Sequence, residues 1–88
     1  MRVKIRLFAA FREAAGTKEI ELELPENSKV IDVIRKLAEH FPKLRKMLLK
    51  GDEMRKDYHV VKGGRWLKEN DLLIDGDQIA IFPPVGGG

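Results

Sequence analysis

Two short segments near the start of the chain place an apolar side chain at every second position. They read "VKIRLFA" (residues 3–9) and "KEIELEL" (residues 18–24). This period is typical of a β-strand that buries one face. The other face is basic in the first segment and acidic in the second, an arrangement that favours pairing. We therefore expect an antiparallel hairpin through "AAFREAAGT", with one apolar face that another layer must cover.

The covering layer is predicted to be a helix that starts shortly after Pro25. Apolar residues recur there at steps of three and four positions, as in an amphipathic helix; they are Val30, Val33, Ile34, Leu37, Ala38 and Phe41. Ser28 is the expected N-cap, Asp32 lies in the first turn, and Pro42 ends the pattern. This pattern predicts the main helix of the domain.

The rest of the chain predicts shorter elements. A further helical piece ending near Gly51 is indicated by three apolar residues, Leu44, Met47 and Leu48. The stretch "YHVVKGGRWL" (residues 58–67) predicts a hairpin that turns at Gly63 and Gly64, because paired glycines adopt the positive φ angles of such a turn. "IDGDQ" predicts another turn. "QIAIF" (residues 78–82) predicts a last strand, which Pro83 and Pro84 end.

The predicted order is strand, strand, helix, short strands and strand. A chain of 88 residues has room for one small core. A first hairpin, a helix across one face and a last strand beside the first make a two-layer α+β domain. We expect a single domain over residues 1–82 and an extended tail over residues 83–88.

The chain offers little catalytic chemistry of its own. It has no cysteine, and its one serine is assigned to the helix cap, so a hydrolase triad lacks a nucleophile. His40 and His59 are not at metal-ligand spacing, and a turn explains Asp75 and Asp77. No glycine-rich phosphate loop is present. We expect no metal site and no intrinsically bound cofactor.

The charge pattern favours a protein without a nucleic-acid or membrane partner. The net charge is +3, and the basic residues are densest over residues 43–56. No aromatic residue lies among those charges, so a solvated basic face is favoured over a nucleic-acid site. No apolar run is long enough for a membrane span or a signal peptide. We expect a cytoplasmic protein.

The tail "PPVGGG" is the segment of the chain that most suggests a chemical function. The prolines direct it outward in an extended conformation, and six residues reach about 20 Å. Gly86, Gly87 and Gly88 lack a Cβ atom, so they fit a channel too narrow for other residues. The Gly88 carboxylate is sterically open, and adenylation converts it into an electrophile. A flexible terminus without function is the alternative.

Three apolar residues fall on the polar phase of the first and last strands. They are Phe8, Ala80 and Phe82. If these strands are parallel neighbours, the three residues form an apolar patch beside the start of the tail. A partner-binding patch is favoured over coverage by a loop or helix end, because aromatic residues are enriched at interfaces.

Three segments together resemble a known family. "VKIRLFAAFREAAG", "VIDVIRKLAEHFP" and above all "DGDQIAIFPPVGGG" are similar to the small subunits of molybdopterin synthase, which are ubiquitin-like β-grasp sulfur carriers. The resemblance runs essentially end to end. Gly86 stands where alanine is frequent in the family, and the basic segment 43–56 looks longer than in compact members.

The resemblance implies a β-grasp fold, a mixed sheet with one main helix across it, and a role in molybdenum or tungsten cofactor synthesis. It implies that a ubiquitin-activating-type enzyme adenylates Gly88 with ATP and that a sulfur donor converts it to a thiocarboxylate. The large synthase subunit, in a hetero-tetramer, would then receive the tail. By resemblance Gly86 and Gly87 are the spacer, and the docking residues are Phe8, Ala80, Phe82, Pro83, Pro84 and Val85.

The sequence leaves other fates of Gly88 open. The same activated glycine suits a protein modifier that forms isopeptide bonds with lysines, and a terminal Gly-Gly is shared with thiazole-pathway sulfur carriers. A plain interaction module with an inert tail is a further alternative.

Overall fold

A computed structural model describes residues 1–84 of the chain. Its elements in chain order are β1 (Arg2–Leu7), α1 (Ala9–Ala15), β2 (Glu19–Glu23), α2 (Val30–His40), α3 (Pro42–Leu48), β3 (Leu49–Lys50), β4 (Glu53–Met54), β5 (His59–Lys62), β6 (Arg65–Leu67) and β7 (Gln78–Phe82). Of the helices in this part of the chain, α2 is the longest, with 11 residues. None of them is long and apolar enough to cross a membrane.

Five strands form one mixed sheet in the order β2-β1-β7-β5-β6, while β3 and β4 form a separate small hairpin. β1 lies antiparallel to β2 and parallel to β7, and β5 lies antiparallel to both β7 and β6. The predicted β-grasp class is therefore confirmed. The first and last strands are neighbours at the centre of the sheet.

The first hairpin pairs a basic with an acidic outer face, as predicted. Glu23, Glu21 and Glu19 of β2 face Arg2, Lys4 and Arg6 of β1 in turn. Ion pairs of 3.4 Å (Arg2 Nε to Glu23 Oε1) and 3.7 Å (Lys4 Nζ to Glu19 Oε1) follow from it. These groups are exposed, so each pair stabilises the sheet only slightly.

The link between β1 and β2 differs from the expected loop, because it contains helix α1. Phe11 of this helix is buried, and its ring meets the ring of Tyr58 edge-on at 5.5 Å between centroids. Gly16 ends the helix in the left-handed conformation, with φ 75°. Ala14 and Ala15 also pack against the core, so tertiary packing stabilises this seven-residue helix.

The start of α2 corrects the predicted N-cap by one residue. Lys29 occupies the N-cap position, and its backbone N–H donates to Asp32 Oδ2 at 2.8 Å. The hydroxyl of Ser28 instead donates to the carbonyl oxygen of Pro25 at 2.7 Å. The first N–H groups of the helix, those of Val30 and Ile31, are accepted by the backbone carbonyls of Asp71 and Glu69, so they need no serine cap.

The short helical piece after Pro42 is confirmed as α3, but it ends at Leu48 rather than near Gly51. The chain then enters β3, and Gly51 lies with positive φ (62°) in the turn before β4. The inner face of the sheet and the inner faces of the helices share one core. Its largest fully buried side chains include Ile5, Leu7, Phe11, Ile34, Leu37, Leu44, Leu48, Ile79 and Ile81.

Candidate functional site

Strand β7 carries the core on one face and a candidate binding surface on the other. Ile79 and Ile81 are buried against the helices. Ala80 and Phe82 point to the opposite, outer face because side chains alternate along a strand. Ala80 pairs with Arg6 on β1 and with Val61 on β5. On the outer face, β7 therefore lies between β1 on one side and β5 on the other.

Phe8 and Phe82 stack on this outer face. Their ring centroids are 4.4 Å apart and the ring planes differ by 12°. Phe8 follows β1 directly and is half-buried, whereas Phe82 is 37% exposed. The guanidinium carbon of Arg6 lies 5.8 Å from the centre of the Phe8 ring. The structure thus brings Phe8, Ala80 and Phe82 to one face, and their role in binding stays a prediction.

A second aromatic pair lies on the same face and was missed by the sequence reasoning. His59 of β5 and Trp66 of β6 stack with ring centroids 4.1 Å apart and 21° between planes. Trp66 is 70% exposed. A signal was available: in a two-residue hairpin at Gly63 and Gly64, Trp66 must face Val61 on the outer side of the sheet. The structure has this register.

The two aromatic pairs form one surface, which we name the outer-sheet patch. It spans four strands, because Phe82 pairs with His59, Ala80 with Val61, and Val61 with Trp66. The patch consists of Phe8, His59, Val61, Trp66, Ala80 and Phe82. Its exposed rings are those of Phe82 and Trp66, and exposed aromatic residues grouped on a sheet are typical of a protein-binding surface.

Asp77 holds the strands beneath the patch in place. Its buried carboxylate lies 2.8 Å from Lys62 Nζ, and it accepts the backbone N–H of Ile74 at 2.8 Å. The preceding Asp75 accepts the backbone N–H of Arg2 at 2.7 Å. Both aspartates therefore serve the turn before β7, as the sequence indicated. Asp77 also links the end of β5 to the start of β7.

The tail leaves the sheet beside the patch. Phe82 is the last residue of β7, Pro83 is half-buried and Pro84 is exposed. The predicted docking residue Val85, the spacer residues Gly86 and Gly87, and the predicted reacting residue Gly88 lie outside the described residues. The structure therefore fixes where the tail starts, next to the Phe8–Phe82 stack.

Within residues 1–84 no group of three or more histidine, aspartate or glutamate side chains is placed to hold a metal ion. His40 is exposed on α2, far along the chain from the stacked His59. A shallow cavity of about 300 Å³ beside Tyr58 is lined by a mixture of apolar and charged side chains and does not include the patch.

Comparisons with known proteins extend over the whole chain. The ThiS family model matches residues 5–88. The chain is 36% identical over 92 residues to small archaeal modifier protein 3 of Haloferax volcanii, and 30% identical over 90 residues to the molybdopterin synthase sulfur carrier subunit of Chlamydomonas reinhardtii; each alignment covers 100% of both chains. The crystal structure of SAMP1 from Haloferax volcanii matches with a TM-score of 0.89 at 26% identity, also covering 100% of both chains.

Proposed function

This chain belongs to the ThiS family of ubiquitin-like sulfur carriers, and from that membership we propose that it is the sulfur carrier subunit of a molybdopterin synthase. The observation that carries the proposal is the place where the tail starts. The "PPVGGG" segment follows Phe82, which is stacked on Phe8 on the outer face of the sheet. A relative with this role in its name is 30% identical over its full length.

The reaction uses Gly88 as the carrier of sulfur. A carboxylate oxygen of Gly88 attacks the α-phosphorus of ATP on an activating enzyme of the ubiquitin-activating type, and pyrophosphate leaves. Hydrosulfide delivered by a sulfur donor then attacks the acyl carbon, the bond to the phosphate oxygen breaks and AMP leaves, and Gly88 carries a thiocarboxylate. The sulfur is passed to a pterin precursor, and water returns Gly88 to a carboxylate. The nucleotide belongs to the partner, and this chain binds no cofactor of its own.

In this proposal the folded domain binds the partner and directs the tail. Phe8, Ala80 and Phe82 dock on the large synthase subunit, while Pro83, Pro84 and Val85 direct the tail into its active site. Gly86 and Gly87 form the narrow spacer, since a backbone without Cβ atoms fits a tight channel. The assembly we propose is a cytoplasmic hetero-tetramer of two carriers on a dimer of large subunits.

A second candidate function is supported by the relative named small archaeal modifier protein 3, which is 36% identical to this chain. In that role the same activated Gly88 is attacked by lysine amines of other proteins instead of by a sulfur donor. A carrier in thiazole synthesis is a third fate of the same group. All three fates begin with adenylation of Gly88. They differ in the molecule that finally receives its sulfur or the glycine itself.

Mass spectrometry of the native protein, purified from its own cells without added thiols, tests the proposal. We expect an exchange of oxygen for sulfur located at Gly88. One alanine added after Gly88 should abolish this form, whereas Lys43→Ala, on the exposed helical side, should leave it intact. Persistence of sulfur loading in the extended chain contradicts the proposal. A Gly-Gly remnant on lysines of other proteins, without any sulfur form, favours the modifier role.

A further inference from the structure

We propose that the free edge of strand β2 is a docking site for an extended segment of another protein. The segment carries lysine or arginine at alternate positions, with apolar residues between them, and adds to the sheet antiparallel to β2. This proposal goes beyond the carrier function, because β2 lies at the opposite edge of the sheet from β6 and the site uses neither the tail nor the outer-sheet patch.

The hydrogen bonds of the first hairpin show which backbone groups of β2 face away from the sheet. Met1 and Leu24 exchange hydrogen bonds of 2.7 and 2.8 Å, and the N–H of Leu7 donates to the carbonyl oxygen of Lys18 at 2.9 Å. Antiparallel strands bond at every second residue, so the even-numbered residues of β2 bond to β1. The N–H and C=O groups of the odd-numbered residues therefore point outward from the edge; these residues are Glu19, Glu21 and Glu23.

The outward backbone groups are open at Glu21 and Glu23 but not at Glu19. The hydroxyl of Thr17 donates to the carbonyl oxygen of Glu19 at 3.1 Å and accepts its N–H at 3.5 Å. Within residues 1–84 the outward N–H and C=O groups of Glu21 and Glu23 have no such partner, and both residues are exposed. The edge thus offers donors and acceptors in the arrangement that an added strand needs.

Strand β1 shows the kind of strand that β2 accepts. Cations alternate along β1 with apolar residues that are buried in the core. Each cation faces a glutamate of β2; the pairs are Arg2 with Glu23, Lys4 with Glu21 and Arg6 with Glu19. Within residues 1–84 no strand lies on the other side of β2, so its glutamates have cations on one side only. A second strand with the pattern of β1 gives them cations on both sides.

The inner side of the same edge suits the apolar residues of the added strand. Ile20 faces this side and is half-buried, so part of its surface is still in water. A shallow cavity of about 290 Å³ at the edge is lined by Arg2, Glu21, Leu22 and Glu23. An apolar side chain of the added strand covers the exposed part of Ile20, and this burial adds to the main-chain hydrogen bonds.

The charge of the edge also excludes a second copy of the same strand as the occupant. Pairing of two β2 strands places glutamates beside glutamates, and like charges directly opposite each other destabilise a sheet. Charged residues on an edge strand prevent self-association in this way. The same carboxylates attract a basic strand, so the edge selects its partner by charge.

Amide hydrogen exchange of the full chain, followed by NMR, tests the strand addition without any substitution. The probe is the peptide acetyl-KVKVKVK-amide. At saturating peptide we expect exchange of the N–H groups of Glu21 and Glu23 to slow by about tenfold or more. Exchange at Ile20 and Leu22 should change much less, because these groups already bond to β1. Binding of the peptide without slower exchange at Glu21 and Glu23 overturns the proposal.

Two altered peptides separate strand addition from attraction between charges. In antiparallel pairing each lysine of the probe lies opposite a glutamate, and its backbone N–H points toward β2. Methylation of the backbone nitrogen of every lysine keeps the charge and removes these donors, so it should weaken binding by about tenfold or more. The acidic peptide acetyl-EVEVEVE-amide should leave exchange at the edge unchanged. Equal binding of the methylated and unmethylated peptides overturns the proposal.

The role of the carboxylates is tested on the protein itself. Glu21→Gln should weaken binding of the basic peptide by about threefold or more, since one cross-strand charge pair is lost. The matched control is Glu39→Gln, the same change of charge at an exposed position of α2, which should change affinity much less. Equal effects would reflect net charge alone and would overturn the proposal. Sulfur loading of Gly88 does not depend on this edge, so the two proposals fail separately.

Discussion

At the scale of single residues, Tyr58 shows how tightly one polar group is tied to the fold. Its side chain is buried, and its hydroxyl donates to the carbonyl oxygen of Leu48 at 2.9 Å. Burial removes water from the phenolate, and the carboxylate of Asp57 adds repulsion, so the pKa of Tyr58 is raised well above its ordinary value. The native packing around Tyr58 therefore requires that its phenol be neutral.

This shift predicts a loss of stability at high pH. The pKa of Tyr58 is higher in the folded than in the unfolded chain, so its contribution is fully present below the unfolded pKa of about 10 and is lost as pH rises above it. We expect the free energy of unfolding in urea to fall above about pH 10 by up to about 1.4 kcal/mol per pH unit from this group. Tyr58→Phe keeps every lysine, so its curve isolates the tyrosine; an equally steep fall in that variant would contradict the assignment.

Asp77 predicts a second effect at this scale. Asp77→Ala leaves the ammonium of Lys62 and the backbone N–H of Ile74 without their partner. We expect a loss of about 1 to 3 kcal/mol in the free energy of unfolding, because a buried donor loses its acceptor. Asp75→Ala is the control, since Asp75 makes a single bond in an exposed turn, and it should have a clearly smaller effect. Chemical denaturation of both variants decides the matter.

At the scale of elements, the helices and strands that could be predicted are those in which apolar residues recur along one buried face. β1, β2, β7 and α2 each repeat an apolar residue with the period of their own geometry, so their positions could be derived. Helix α1 was not predicted, because its apolar face consists of Phe11, Ala14 and Ala15, and seven residues are too few for that repeat to mark a helix. The start of α2 differed by one residue because the backbone carbonyls of Asp71 and Glu69, which are distant in sequence, accept the first N–H groups of the helix from Val30 and Ile31.

The glycine turn between β5 and β6 carries the prediction for this scale. Gly63 and Gly64 have φ of 54° and 79°, and no atom lies within 4 Å of a Cβ added at either position. Strain rather than crowding should therefore decide the cost. We expect Gly64→Ala to destabilise the domain by about 1 kcal/mol or more. Gly63→Asn should stay within about 0.5 kcal/mol, because Asn-Gly suits this turn. Thermal unfolding compares them, and equal costs would argue against the turn geometry.

At the scale of the whole molecule, the two faces of the sheet differ in role. The inner face packs in the core, and the outer face carries the outer-sheet patch. The half of the outer-sheet patch nearest the tail was predicted, because Phe8 and Phe82 break the alternation of their own strands. The other half depends on which strand lies beside β7, and neither His59 nor Trp66 carries that information locally. Pairing between strands that are distant in sequence is set by the packing of the entire core.

Two adjacent residues of β7 test this separation. Ile81 is fully buried, so Ile81→Ala should lower the free energy of unfolding by about 2 to 5 kcal/mol. Phe82→Ala should cost about 1 kcal/mol, mainly from the lost stack with Phe8, yet weaken partner binding far more than its stability effect suggests. Urea unfolding and calorimetry measure the two quantities. The reverse ranking in stability would mean that the outer face is part of the core.

The parallel pairing of β1 with β7 also sets the timing of events during translation. β1 emerges from the ribosome early, but its parallel neighbour β7 comes much later in the chain, from Gln78 to Phe82. In a chain that stops short of β7, the β1–β2 and β5–β6 hairpins have no strand between them, so the five-stranded sheet cannot form. The two adjacent strands at the middle of the sheet thus come from opposite ends of the domain, and the sheet is complete only once β7 has been made.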